Sequence, residues 1–210
     1  MQSWSAIVLI TGAFLFFMAA FSPISMRVFQ VDITPEEQIQ IVSDGRTAWV
    51  ITSLLFGAGS VVAVIGLFLF ARTVSGSLAS TTTLLAYGAA TIALIGALFW
   101  VAVVYLRIAH TPEQVFLEGS LGGQWMFPLY TALTQVALIT VGYVLLQAGY
   151  PGWLGWGMIA LVGLTVIGAI IFRDMPPFVH YLWLSIMGCT LLLASSPKLA
   201  PAAASIFSQG

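Results

Sequence analysis

His110 and His180 are the only imidazoles in this 210-residue chain. Paired imidazoles can ligate a metal or a haem iron, and Glu113, three residues beyond His110, can add an oxygen ligand. Both histidines are expected near one membrane face, at the end of the third apolar run and the start of the sixth. A haem in a bundle takes its ligands from facing helices inside the core. His110 instead precedes Thr111, a capping residue, so interfacial hydrogen bonding is the preferred account of the rings. Gln135, with Thr131 one turn earlier, is the strongest polar side chain in the middle of the fourth run. It can hold a quinone or another carbonyl-bearing ligand, or simply bond a neighbouring helix.

Arg27, Arg107 and Arg173 close the first, third and fifth apolar runs. Converging guanidiniums can grip a lipid phosphate bidentately; the plainer reading is that they anchor helix ends by snorkelling. Between these positions the apolar runs contain no Asp, Glu, Lys or Arg, which removes the usual carrier of a proton or ion relay. No Walker loop, dinucleotide fingerprint, nucleophile elbow or His-Glu-x-x-His pattern is present. Ordinary enzyme chemistry has no visible seat.

The elements that must position these residues follow from composition. With 60% hydrophobic and 6% charged residues and a mean hydropathy of +1.05, the chain reads as an integral membrane protein, since soluble domains carry roughly 25% charge. A net charge of −1 provides no basic field for nucleic acid, and the single Cys189 allows no internal disulfide. A spanning helix needs about 20 apolar residues. Six uncharged runs meet that need, approximately 4–26, 48–71, 83–106, 127–148, 153–172 and 178–195. The expected fold is all-α, a single polytopic bundle over 1–210 with six transmembrane helices in three hairpins.

An even number of spans puts both termini on one side. The opposite side then receives Arg27, Arg46, Arg107, Arg173 and all seven acids. Counting Lys and Arg alone would make that side cytoplasmic. Three of these arginines also complement helix dipoles, and the preferred orientation places the termini in the cytoplasm.

The loops after the first and third runs share a design. Thr34-Pro35-Glu36-Glu37 and Thr111-Pro112-Glu113-Gln114, 77 residues apart, each offer a Thr N-cap, a Pro at the first helical position and Glu or Gln three residues after Thr. Two short amphipathic helices, approximately 35–44 and 112–119, are expected to lie over the charged face. Pro23 should kink or end the first helix. Small residues in the second, third and fifth runs permit close packing, with the glycine-rich fifth as the expected central helix.

The stretch Gly149-Tyr150-Pro151-Gly152-Trp153-Leu154-Gly155-Trp156, followed by a Gly-rich helix and by Pro176-Pro177-Phe178, resembles a segment of uncharacterised six-helix bacterial membrane proteins. The resemblance covers roughly the C-terminal half. It implies a bacterial inner-membrane location and no activity. The functional expectation is a non-catalytic membrane protein, an accessory or lipid-, pigment- or other hydrophobic-ligand-binding subunit whose partners are lipids, a larger membrane complex or further copies of itself. A haem- or quinone-binding redox protein and a small-solute transporter are the alternatives.

Overall fold

The computed structural model describes residues 2–30, 32–75, 80–117, 123–172 and 178–194. Among them there are nine helices and no strand. In chain order they are α1 (Gln2–Ala20), α2 (Pro23–Val28), α3 (Pro35–Asp44), α4 (Arg46–Val74), α5 (Ser80–Ala109), α6 (Pro112–Phe116), α7 (Gly123–Gln147), α8 (Gly152–Phe172) and α9 (Phe178–Ala194). Among the described residues, four stretches are long and apolar enough to cross a membrane: α1, α4, α5 and Pro128–Gln147 of α7. The apolar stretches Gly152–Ile167 and Val179–Ala194 are shorter.

The first apolar run does not continue to Met26 as one helix. It stops at Ala20, because Pro23 has no N–H to donate and its ring excludes a continuing turn. Ser22 restarts the chain as an N-cap, its hydroxyl accepting from the Ser25 N–H at 3.3 Å.

Both expected capping boxes form. Thr34 Oγ1 accepts from the Glu37 N–H at 3.3 Å while Glu37 Oε2 accepts from the Thr34 N–H at 2.9 Å. Thr111 and Gln114 repeat the exchange at 3.4 and 3.1 Å. Helix α3 has the expected bounds. Helix α6 ends at Phe116, and the remainder of the expected 112–119 helix from Glu118 onward lies outside the described residues. The two short helices pack on each other and α2 packs on α3, forming a collar with its own apolar centre of Ile24, Val28, Val42 and Trp49.

Helix α1 packs against α4 and α9, α4 against α5, α5 against α7, and α7 against α8. The glycine-rich α8 is therefore lateral, which corrects the expectation that it is central. Its glycines serve two close approaches, one to α7 and one to α9, where a Cβ on Gly157 would stand 2.5 Å from the Trp183 ring. A Cβ on Gly155 would stand 2.7 Å from the Gly142 oxygen, while Trp153, Trp156 and Leu164 face outward. The tightest backbone approach joins α1 to α4, where a Cβ on Gly12 would stand 2.5 Å from Ala63 N and one on Gly59 2.8 Å from the Gly12 oxygen. Where the solvent is lipid, burying apolar area supplies no attraction between helices, and such backbone approach supplies it.

At the end away from the collar, Gln2 Nε2 donates to Tyr150 Oη at 3.1 Å and Phe70 packs on the Tyr150 ring. These contacts hold the start of α1, the end of α4 and the α7–α8 link together. Burial pushes the Tyr150 phenol above its ordinary value.

Candidate functional site: a buried polar chain and a caged arginine

Five helices meet around aromatic rings. Phe16 of α1 stacks on Tyr181 of α9 with centroids 3.7 Å apart and meets Phe56 of α4 edge-on at 4.8 Å. Phe56 meets Trp100 of α5 at 5.9 Å, and Trp100 stacks on Tyr130 of α7 at 5.1 Å. Helical geometry brings these residues to the interior, and their hydroxyls then require partners in a dry environment. The Ser60 hydroxyl lies 2.8 Å from Tyr181 Oη, which lies 3.0 Å from Tyr130 Oη. Ser60 also donates to the Phe56 carbonyl at 3.0 Å.

One residue before Tyr181, His180 is fully buried, and the Gln135 amide donates to its Nε2 at 2.6 Å. The other ring nitrogen, Nδ1, is buried with no hydrogen-bond partner among the described residues. The redox alternative joins Gln135 to both histidines; the structure puts it in contact with His180. His110 has a different environment. Its Nδ1 faces the Leu106 carbonyl at 3.2 Å, near the C-terminus of α5 and ten residues past Trp100, roughly 15 Å farther along that helix. His180, beside the Trp100–Tyr130–Tyr181 layer, is thus a core residue rather than the interfacial one expected. The reason is that α9 starts at Phe178 with its His180 and Tyr181 turned onto α7 and α4.

A cavity of about 30 Å³ adjoins this layer, with Ser60, Tyr130, His180 and Tyr181 among its lining side chains and Ala97 and Leu138 among its apolar ones. It has room for a water molecule and none for a haem or quinone ring. Thr131, one turn before Gln135, is buried with its hydroxyl unpartnered. Among the described residues, no three His, Cys, Asp or Glu side chains come together as metal ligands. Glu113 sits in the first turn of α6, where its own backbone N–H and the Thr111 hydroxyl hold its carboxyl below the usual carboxylate range.

Arg27 and Arg107 have different surroundings. Arg27 is exposed and lines an open basin with Asp32, Glu36 and Glu37 between α2 and α3. Arg173 lies outside the described residues. Arg107 stands among three rings, its guanidinium carbon 5.5 Å from the Phe29 centroid, 5.4 Å from Trp49 and 5.3 Å from Trp100. Each such contact contributes about 0.5–2 kcal/mol, more where water is excluded. Arg107 thereby links the collar's apolar cluster to the central aromatic layer.

Arg46, not singled out from the sequence, closes α5. Its Nη1 donates to the Arg107 carbonyl at 3.2 Å and its Nη2 to those of Ile108 and His110 at 2.6 and 3.1 Å. Its position directly after Asp44-Gly45 reads as the start of a helix and carries no sign of a partner 61 residues away. Ser60 and Tyr181 were equally unmarked, because a lone hydroxyl in an apolar run looks like any other. Comparison with protein-family models, curated proteins and solved structures finds no significant match.

Proposed function

We propose that this chain is a non-catalytic integral membrane protein of a bacterial inner membrane. Its six helices α1, α4, α5, α7, α8 and α9 cross the bilayer as three hairpins, with both termini in the cytoplasm and the collar of α2, α3 and α6 on the far side. Its role is that of an accessory or ligand-binding subunit that engages lipids, another hydrophobic molecule or a larger membrane complex. The observation that carries this reading is the filled centre. Five helices close on Phe16, Phe56, Trp100, Tyr130 and Tyr181 around only about 30 Å³, while Trp4, Phe14, Leu84, Leu98, Trp156 and Leu164 face outward. Recognition through the outer surface fits such a bundle better than passage of a solute through it. Mass spectrometry of the protein purified in mild detergent tests the reading. A stoichiometric lipid, other apolar molecule or partner protein is expected, and a chain that purifies alone and lipid-free overturns it.

A redox reading is favoured by one specific pairing, Gln135 with His180. Visible absorption and solvent extraction of the purified protein decide it. A Soret band, or a quinone in the extract, lost in His180→Ala replaces the accessory role with electron transfer, and a protein that carries neither retires it.

A further inference from the structure

We propose that Arg107 anchors the phosphate of an anionic phospholipid at the collar. The inference rests on the membrane placement proposed above and names the ligand chemistry of one site. Arg107 lies two residues before the end of α5, so in a spanning α5 its guanidinium reaches the headgroup layer. Three rings stand 5.3, 5.4 and 5.5 Å from the guanidinium carbon, and aromatic rings are at most weak acceptors for its five N–H groups. Among the described residues no carboxylate, carbonyl or hydroxyl takes those protons.

The natural acceptors for an arginine here are the carbonyls at its own helix end, and Arg46 already occupies those of Arg107, Ile108 and His110. The same three bonds compensate the negative end of the α5 dipole, which would otherwise repel an incoming anion. Of the collar's acids, Glu37 is taken up by the α3 capping box, and Asp32 and Glu36 line the open basin beside Arg27. The site has an open side. Arg107 is only partly buried, and Phe29, one wall of the cage, is 52% exposed. A fixed cation with free coplanar donors, a positive neighbour at its helix end and an opening at headgroup depth suits a tetrahedral phosphate, which a guanidinium binds through two parallel hydrogen bonds.

The test uses the full chain in mild detergent, offered equal amounts of phosphatidylglycerol and phosphatidylcholine and examined by native mass spectrometry. The wild-type protein is expected to retain phosphatidylglycerol over phosphatidylcholine by about tenfold or more, and Arg107→Gln to bring the ratio near unity. Arg107→Lys, which keeps the charge and loses the fork, is expected to fall between them; it decides the matter if Arg107→Gln does not survive purification. Equal retention of the two lipids by the wild type overturns the proposal, as does an unchanged ratio in a folded Arg107 variant. A parallel titration with inorganic phosphate separates the sources: Arg107-dependent binding of the free ion without lipid selection overturns the lipid assignment. If no anionic preference is found while another apolar molecule co-purifies, this inference fails and the accessory reading stands.

Discussion

The phenolic oxygens of Tyr130 and Tyr181 lie 3.0 Å apart at the centre of the bundle, with Ser60 continuing the chain 2.8 Å beyond Tyr181. Tyr181 is therefore both a ring stacked on Phe16 and the middle of a three-hydroxyl relay. Tyr181→Phe keeps the ring and deletes the relay. Interhelical hydrogen bonds in membranes contribute modestly, so a loss of roughly 0.5–2 kcal/mol is expected. Tyr181→Ala also removes the stack and should cost roughly 3–5 kcal/mol. Unfolding in detergent micelles reads both, and a Phe variant as impaired as the Ala variant would show that the hydroxyls, not the ring, dominate.

Gly12 and Gly59 set how closely α1 approaches α4. Gly12→Ala forces a methyl against Ala63 N at 2.5 Å and the Gly59 oxygen at 2.9 Å, backbone atoms that cannot rotate away. A destabilisation of roughly 1–3 kcal/mol is expected. Gly88→Ala is the control, because a Cβ there meets nothing within 4 Å. Equal melting temperatures for the two variants would refute the crossing.

Removing the three donors that Arg46 gives to the end of α5 should loosen the last turn of that helix. Hydrogen bonds from a charged group contribute about 1.5–3 kcal/mol each, with losses within one network less than additive. Arg46→Gln is expected to lower stability by about 2 kcal/mol or more and to speed hydrogen exchange at Ala109 and His110. Unaltered exchange there would mean that the cap contributes nothing in solution.

The Glu113 carboxylate titrates below the usual range because its own backbone N–H and the Thr111 hydroxyl favour the charged form. Since the folded value is the lower one, its contribution to α6 is present above the ordinary carboxylate range. It is lost as pH falls through the depressed folded value. Carbon-13 NMR of Glu113 should give a midpoint below that of a free glutamate, moving upward in Thr111→Val. A midpoint unaffected by that substitution would remove Thr111 as a cause.

Much of this architecture was legible one segment at a time. Apolar run length announced the long helices, Pro23 announced a break before the collar, and Thr34-x-x-Glu37 and Thr111-x-x-Gln114 announced the starts of α3 and α6. Each signal is local, set by backbone hydrogen bonding within a few residues, so neighbours in sequence are enough to read it. The first apolar run is longer than the helix it forms, because apolar character continues past Ser22 while the helical hydrogen-bond pattern does not.

The partnerships were not legible in the same way. That His180 meets Gln135 instead of sharing a face with His110, that Arg107 stands among three aromatic rings, and that the glycine-rich α8 packs at the side of the bundle all depend on which side of each helix turns inward. In a chain this uniformly apolar, no strong amphipathic stripe marks the inner face, because lipid and protein interior accept the same side chains. Local hydrogen bonding placed the helices along the chain, and steric fit between glycine-notched surfaces oriented them.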